Sequence, residues 1–194
     1  MSVNELSCIC IEDLDGYKLK AKEAVGSTEN YPAKNVIDMD RQTYFDNFPR
    51  QLSEGEFHWL QIKLKQASAI WKIAIRSVES CCSDTIEIWV GNHKIQNEEN
   101  GTESKISRNW RSENSDGNTT NPDNITNLLP GNKLCGKFKG SGTTNDIYLI
   151  DCLTPNQQDI DGEFITIASK ELLMFSEIDI YGSSKNYYST KTLA

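Results

Sequence analysis

Three oxygen-bearing side chains, Asn35, Asp38 and Asp40, fall within six residues in the stretch PAKNVIDMDRQT, residues 32 to 43. Calcium takes about 6–8 oxygen ligands at ~2.3–2.6 Å and tolerates irregular loops that mix carboxylates, amides and carbonyls. The cluster could therefore wrap a calcium ion behind Pro32. It lacks the loop pattern of an EF-hand, and an Asx-rich turn or a helix cap would use the same residue types. A second stretch, ESCCSDTIEIWVGN, carries the adjacent pair Cys81 and Cys82. Neighbouring Cα atoms lie ~3.8 Å apart, closer than the ~4.4–6.8 Å usual for a disulfide, so a bond between them would form only in a strained turn.

The other cysteines are Cys8, Cys10, Cys135 and Cys152, and no pair has the CxxC spacing of a zinc or thioredoxin site. An even count without metal spacing favours disulfides. Three sequons, at Asn100, Asn118 and Asn124, lie in one hydrophilic stretch where glycans would not disturb a core. Catalytic patterns are sparse. The two histidines, His58 and His93, lie in or beside strand-like segments, and there is no GxSxG, HExxH, P-loop or GxGxxG. No activity as an enzyme is expected.

The elements that must position these residues follow from length and pattern. A chain of 194 residues is long enough for one domain with a real core. Twenty basic against 28 acidic residues, a net charge of −8, disfavours nucleic acid or an anionic membrane as partner and suits neutral or cationic ligands. No apolar run reaches the ~18 residues of a transmembrane helix. The start, MSVNELSCICIEDL, does not read as a signal peptide; secretion is expected on the cysteines and sequons instead.

Strand-like runs recur at Phe57 to Leu64, Trp71 to Arg76, Ile86 to Val90, Ile147 to Ile150, Phe164 to Ile167 and Ile178 to Tyr181. Each is rich in β-branched or aromatic residues and bounded by turn formers. Many short strands without a long amphipathic helix predict an all-β fold, a jelly-roll β-sandwich with short turns. Residues 96 to 133 have almost no apolar period and read as a long polar loop insertion.

The order of features resembles the F-type lectin (fucolectin) domain, of the discoidin or F5/8 type C architecture. The matching elements begin with Lys20 to Ala24, Ser27-Thr28 and the turn from Ala33 to Asp40. The strand His58 to Leu64, the Cys81-Cys82 pair and the strand closing on Val90-Gly91 come next. They end with Cys135 and Cys152, Gly162 to Ile167, and Leu172 to Tyr181. The resemblance spans residues 17 to 182, leaving an N-terminal extension of residues 1–16 and a tail of residues 183–194 that holds Tyr187 and Tyr188.

That resemblance implies a calcium ion held by Asn35, Asp38 and Asp40, by Glu177 on the last strand, and by the carbonyl of Ser176. Ser176 takes the place of a family cysteine. It also implies disulfides Cys81–Cys82 and Cys135–Cys152, the first a flat platform for the apolar side of a sugar; the alternatives are a stiffened loop or free thiols. Cys8 and Cys10 have no counterpart and would pair with each other or with another chain. The family's fucose-reading histidine and arginines are not matched: Val78 or Glu79 and Thr85 stand where the arginines would fall, Ser80 where an aspartate would, and His58 lies within the strand. Arg76 and Arg50 are the nearest guanidinium candidates, so a degenerate fucose site is expected. The implied function is a secreted, calcium-binding, glycan-recognising domain with glycans or glycoproteins as partners and room for a homo-oligomer. The alternative is a discoidin-type adhesion or protein-interaction module using Tyr44, Phe45 and Phe48, unless these are ordinary core or turn aromatics.

Overall fold

The computed structural model describes residues 17–27, 29–47, 57–78, 85–95, 129–140, 146–152 and 158–184. Among the described residues eight strands appear in chain order: β1 (Ala21–Gly26), β2 (Phe45–Asp46), β3 (His58–Ser77), β4 (Thr85–Gly91), β5 (Lys133–Lys139), β6 (Ile147–Asp151), β7 (Ile160–Ser169) and β8 (Met174–Ser184). The one helical element among the described residues is a 3-10 turn, Ala33–Ile37, that buries Ala33 and Val36. All pairings between the strands are antiparallel. The fold is an all-β jelly roll, as the spacing of the strand-like runs predicts.

The two runs expected on either side of residues 65 to 70 are one strand, β3. Its first half pairs with β1 and β7, and its second half pairs with β8 and β6. The register with β7 shifts between Lys63 and Ser68, where an irregularity lets a strand bend and change neighbours. β3 thereby joins a layer ordered β1-β3-β7-β4-β5 to a layer ordered β2-β8-β3-β6. The polar break at residues 65 to 68 reads as a turn in sequence because alternation fails there, while the backbone hydrogen bonds to β7 resume at Ser68.

Alternation sends Leu60, Ile62 and Leu64 of β3 into the main core, with Ile73 and Ile75 of its second half, Ile86, Ile88 and Val90 of β4, Ile165 and Ile167 of β7, and Ile178 and Ile180 of β8. Phe45 is fully buried in the same core, so it is a core residue and not an exposed docking aromatic. A second cluster lies on the opposite face of β3, β4 and β7, where Trp59, Trp89 and Ala168 are covered by Ile95 and Leu129. Residues 129 to 133, the end of the stretch expected as a polar insertion, supply that buried leucine and the start of β5.

β5 and β6 are the outermost strands at one side of the two layers. The disulfide Cys135–Cys152 joins β5 to the residue after β6, and Phe138 stacks on Tyr148 with ring centroids 4.8 Å apart. No β-ladder joins β5 to β6 among the described residues, so a covalent bond and a ring stack tie the layers there. β7 and β4 approach closely enough that a Cβ on Gly162 would sit 2.6 Å from the backbone nitrogen of Gly91 and 2.7 Å from its oxygen. Both positions require glycine for space.

Candidate functional site

The 3-10 turn packs against β1 and β8 and delivers the loop 38 to 43 beside the start of β8. Within this loop Asp38 Oδ1 accepts from Asp40 N at 2.9 Å and Asp38 Oδ2 from Thr43 Oγ1 at 2.8 Å, while Asp40 Oδ1 accepts from Gln42 N at 2.9 Å. Met39 between the two aspartates adopts a left-handed φ of 65°, which folds the loop back on itself. The Asx-turn reading is therefore correct for the backbone. It does not exhaust the oxygens, because a carboxylate offers about four lone-pair sites. Asn35 donates its Nδ2 to the Tyr44 carbonyl at 2.9 Å, which leaves its amide oxygen as the acceptor of that side chain.

Glu177 lies on β8, in register opposite Arg76 of β3. It is buried, at 8 % exposure, and its Oε2 has no hydrogen-bond partner among the described residues. Its carboxyl is raised from an ordinary 4.5 to about 7, first by burial away from water and next by the charge of Asp179. Lys18 acts in the opposite direction, Asp38 raises it further, and Arg41 lowers it. Asp38 and Glu177, two of the sequence-predicted calcium ligands from distant parts of the chain, thus lie within electrostatic reach of each other. Asp179 is two residues along β8, so alternation puts it on the same face as Glu177, and there it pairs with Lys18.

Ser176 is also buried, with an unpartnered Oγ among the described residues. Arg76 faces Glu177 while Ser77 faces Phe175, so Ser176 is the extra residue of a bulge. A bulge leaves its extra residue outside the ladder and bends the strand. The donor chemistry at this place fits a hard cation: a buried carboxylate oxygen without a partner, a second carboxylate near it, an amide oxygen, and a serine displaced from the sheet ladder. No three His, Cys, Asp or Glu side chains converge as a ready cage among the described residues, so amide and main-chain oxygens would have to complete such a set. Asp38 and Asp40 are both exposed, and both accept hydrogen bonds within their own loop.

Arg76 is half-buried in β3 beside Glu177. His58 is buried at 3 % exposure at the start of β3, and the His93 carbonyl accepts from Gln61 Nε2 at 3.2 Å. Arg50, Phe48, the Cys81 and Cys82 pair, Cys8, Cys10, the sequons Asn100, Asn118 and Asn124, and Tyr187 and Tyr188 lie outside the described residues. Sequence reasoning missed Asp179 and Lys18 as charges that tune Glu177. The period of two from Glu177 to Asp179 could have revealed the first of them.

The architecture defined by these layers is that of F-type lectin and discoidin-like carbohydrate-binding domains. A fucolectin from striped bass (Morone saxatilis) serum aligns with a TM-score of 0.54 at 16 % identity, over 84 % of this chain and 46 % of that one. The family 32 carbohydrate-binding module of Clostridium perfringens NanJ, in complex with galactose, aligns at 0.52 and 16 % identity, over 85 % and 98 % of the two chains. A C. perfringens module of the same family, CpGH89CBM32-5 in complex with GalNAc-β-1,3-galactose, gives 0.54 at 10 % identity over 85 % and 99 %. The chain thus spans about half the length of the striped bass protein and nearly all of the two bacterial modules. No protein-family model matches the sequence, and a search of curated proteins finds no match.

Proposed function

We propose that this chain is a secreted, calcium-binding, lectin-like domain that recognises cell-surface or pathogen glycans through a site altered from the fucose pattern. The observation that carries the calcium part is Glu177: a buried carboxylate with an unpartnered oxygen and a pKa raised toward neutrality, in the field of Asp38. Such a group is costly alone and favourable beside a cation. Asn35, Asp38, Glu177 and the Ser176 carbonyl would hold the ion, with Asp40 closing the loop around it. A bound calcium would fix the 38 to 43 loop against β8 and so rigidify this end of the sandwich. Glycan recognition is supported by the likeness to carbohydrate-binding folds, two of whose solved examples hold galactose or GalNAc-β-1,3-galactose.

The fucose site is taken as altered because Val78 or Glu79 and Thr85 stand in place of arginines and Ser80 in place of an aspartate, and sugar hydroxyls need partners on leaving water. The Cys81-Cys82 turn, Arg50 and Arg76 remain its proposed contacts. An adhesion or protein-interaction role is the second reading, favoured by Ile147 and Leu149, which are 40 % and 46 % exposed on one face of β6. A glycan array probed with oxidised protein in millimolar calcium, then with chelator, separates the two. Selective binding lost on chelation establishes the lectin. Folded protein that binds no glycan in either condition transfers the case to the interaction module.

A further inference from the structure

Tyr31 is 43 % exposed, although it packs on a half-buried neighbour, Tyr44, with ring centroids 4.6 Å apart and planes tilted by 44°. Both backbones are held firmly. The amides of Asn30 and Tyr31 donate to the Asp46 carbonyl at 2.9 and 3.1 Å. Asn30 Nδ2 reaches Asp46 Oδ2 at 3.2 Å, and Asn35 fixes the Tyr44 carbonyl. Asp46, at 6 % exposure, is an internal anchor. The result is a partly exposed aromatic ring on a backbone held by hydrogen bonds, with a second ring behind it.

We propose that Tyr31, backed by Tyr44, is a stacking platform for a pyranose ring, an inference that rests on the glycan-binding function above and places one contact of that function. A pyranose presents an apolar C–H face bounded by hydroxyls. An aromatic ring covers that face without removing hydroxyl partners, and a pre-fixed ring with few rotatable bonds loses little entropy on binding. Position supports the assignment. Tyr31 bridges Asp46, Asp46 pairs with Met174, and the Met174 carbonyl accepts from Val78 N. Tyr31 and the end of β3 therefore lie in one row across the sheet, three inter-strand steps or about 14 Å apart. A ligand touching both is longer than one monosaccharide.

Tyr17 provides an internal control. It is 52 % exposed and packs edge-on against Trp71 at 5.0 Å, but its neighbour Lys18 bridges Tyr181. Along β8 that is seven residues, about 23 Å, from Met174. An exposed tyrosine that merely decorates the surface would behave alike at either place.

The test compares wild type, Tyr31→Ala, Tyr31→Phe and Tyr17→Ala on one array of mono- to pentasaccharides. The expected result is an about three- to tenfold loss for Tyr31→Ala on oligosaccharides, a smaller loss on monosaccharides, and near wild-type behaviour for the other two. If Tyr31→Ala lowers the denaturation midpoint, Tyr31→Leu, which keeps apolar cover over Tyr44, takes its place. Wild type that binds glycans with Tyr31→Ala indistinguishable from Tyr17→Ala overturns the platform and leaves the lectin standing. Wild type that binds no glycan overturns both.

Discussion

Glu177→Gln should reverse the order of stability between wild type and variant according to whether calcium is present. The substitution keeps the shape of a buried side chain and removes its charge. A carboxyl raised from 4.5 to about 7 represents, at ~1.4 kcal/mol per pH unit, an upper limit of about 3 kcal/mol of native-state cost once the group is ionised. The sign follows from proton binding. Between 4.5 and about 7 the folded protein holds a proton that the unfolded chain has released, so metal-free wild type loses stability as pH rises through that window. Below it both states are protonated and the cost vanishes. In chelator at about pH 8, Glu177→Gln should thus be more stable than wild type by about 1–3 kcal/mol, and the gap should shrink as pH falls toward the ordinary carboxyl range. Calcium at about 100 times its dissociation constant should add ~2.7 kcal/mol to wild type and far less to the variant. Urea denaturation with and without calcium at two pH values measures both effects. A variant less stable than wild type in chelator, or one with an equal calcium response, would refute the assignment of Glu177 as an uncompensated charge awaiting a cation.

Replacing Cys135 and Cys152 together by serine should cost about 3 kcal/mol in the chain-entropy model, given a separation of 17 residues, and reductant should affect wild type but not this variant in a denaturation series. Gly162→Ala should destabilise by about 1–3 kcal/mol, because its Cβ would meet the Gly91 backbone from the paired strand; a midpoint unchanged by this substitution would contradict the close crossing of β4 and β7. Leu129→Ala should cost about 2–5 kcal/mol and shift the emission of Trp59 and Trp89, which it covers. An unperturbed spectrum would place Leu129 elsewhere.

Most of the architecture was legible in the chain itself. β-branched and aromatic runs at Ile86 to Val90, Ile147 to Ile150, Phe164 to Ile167 and Ile178 to Tyr181 each became a strand, because half-buried strands impose a period of two on side chains. β1 and β5 were not visible as periodic runs. Ala21–Gly26 and Lys133–Lys139 are edge strands with mostly exposed or partly exposed side chains, so burial leaves little pattern in them. The Cys135–Cys152 bridge, implied by family likeness, is present. The small bridge between Tyr31 and Asp46 left no sequence signal, since a single backbone pairing needs no side-chain pattern.

The sequence by itself determined the strongly periodic strands and the oxygen-rich turn, because these depend on local composition and periodicity. Tertiary structure alone decided that β3 is continuous and passes between layers. It also put Glu177 within the electrostatic field of Asp38, 139 positions earlier in the chain, and placed Ser176 outside the ladder by a bulge. The physical reason is that register, bulges and the desolvation of a carboxylate are properties of paired strands. No single strand carries them.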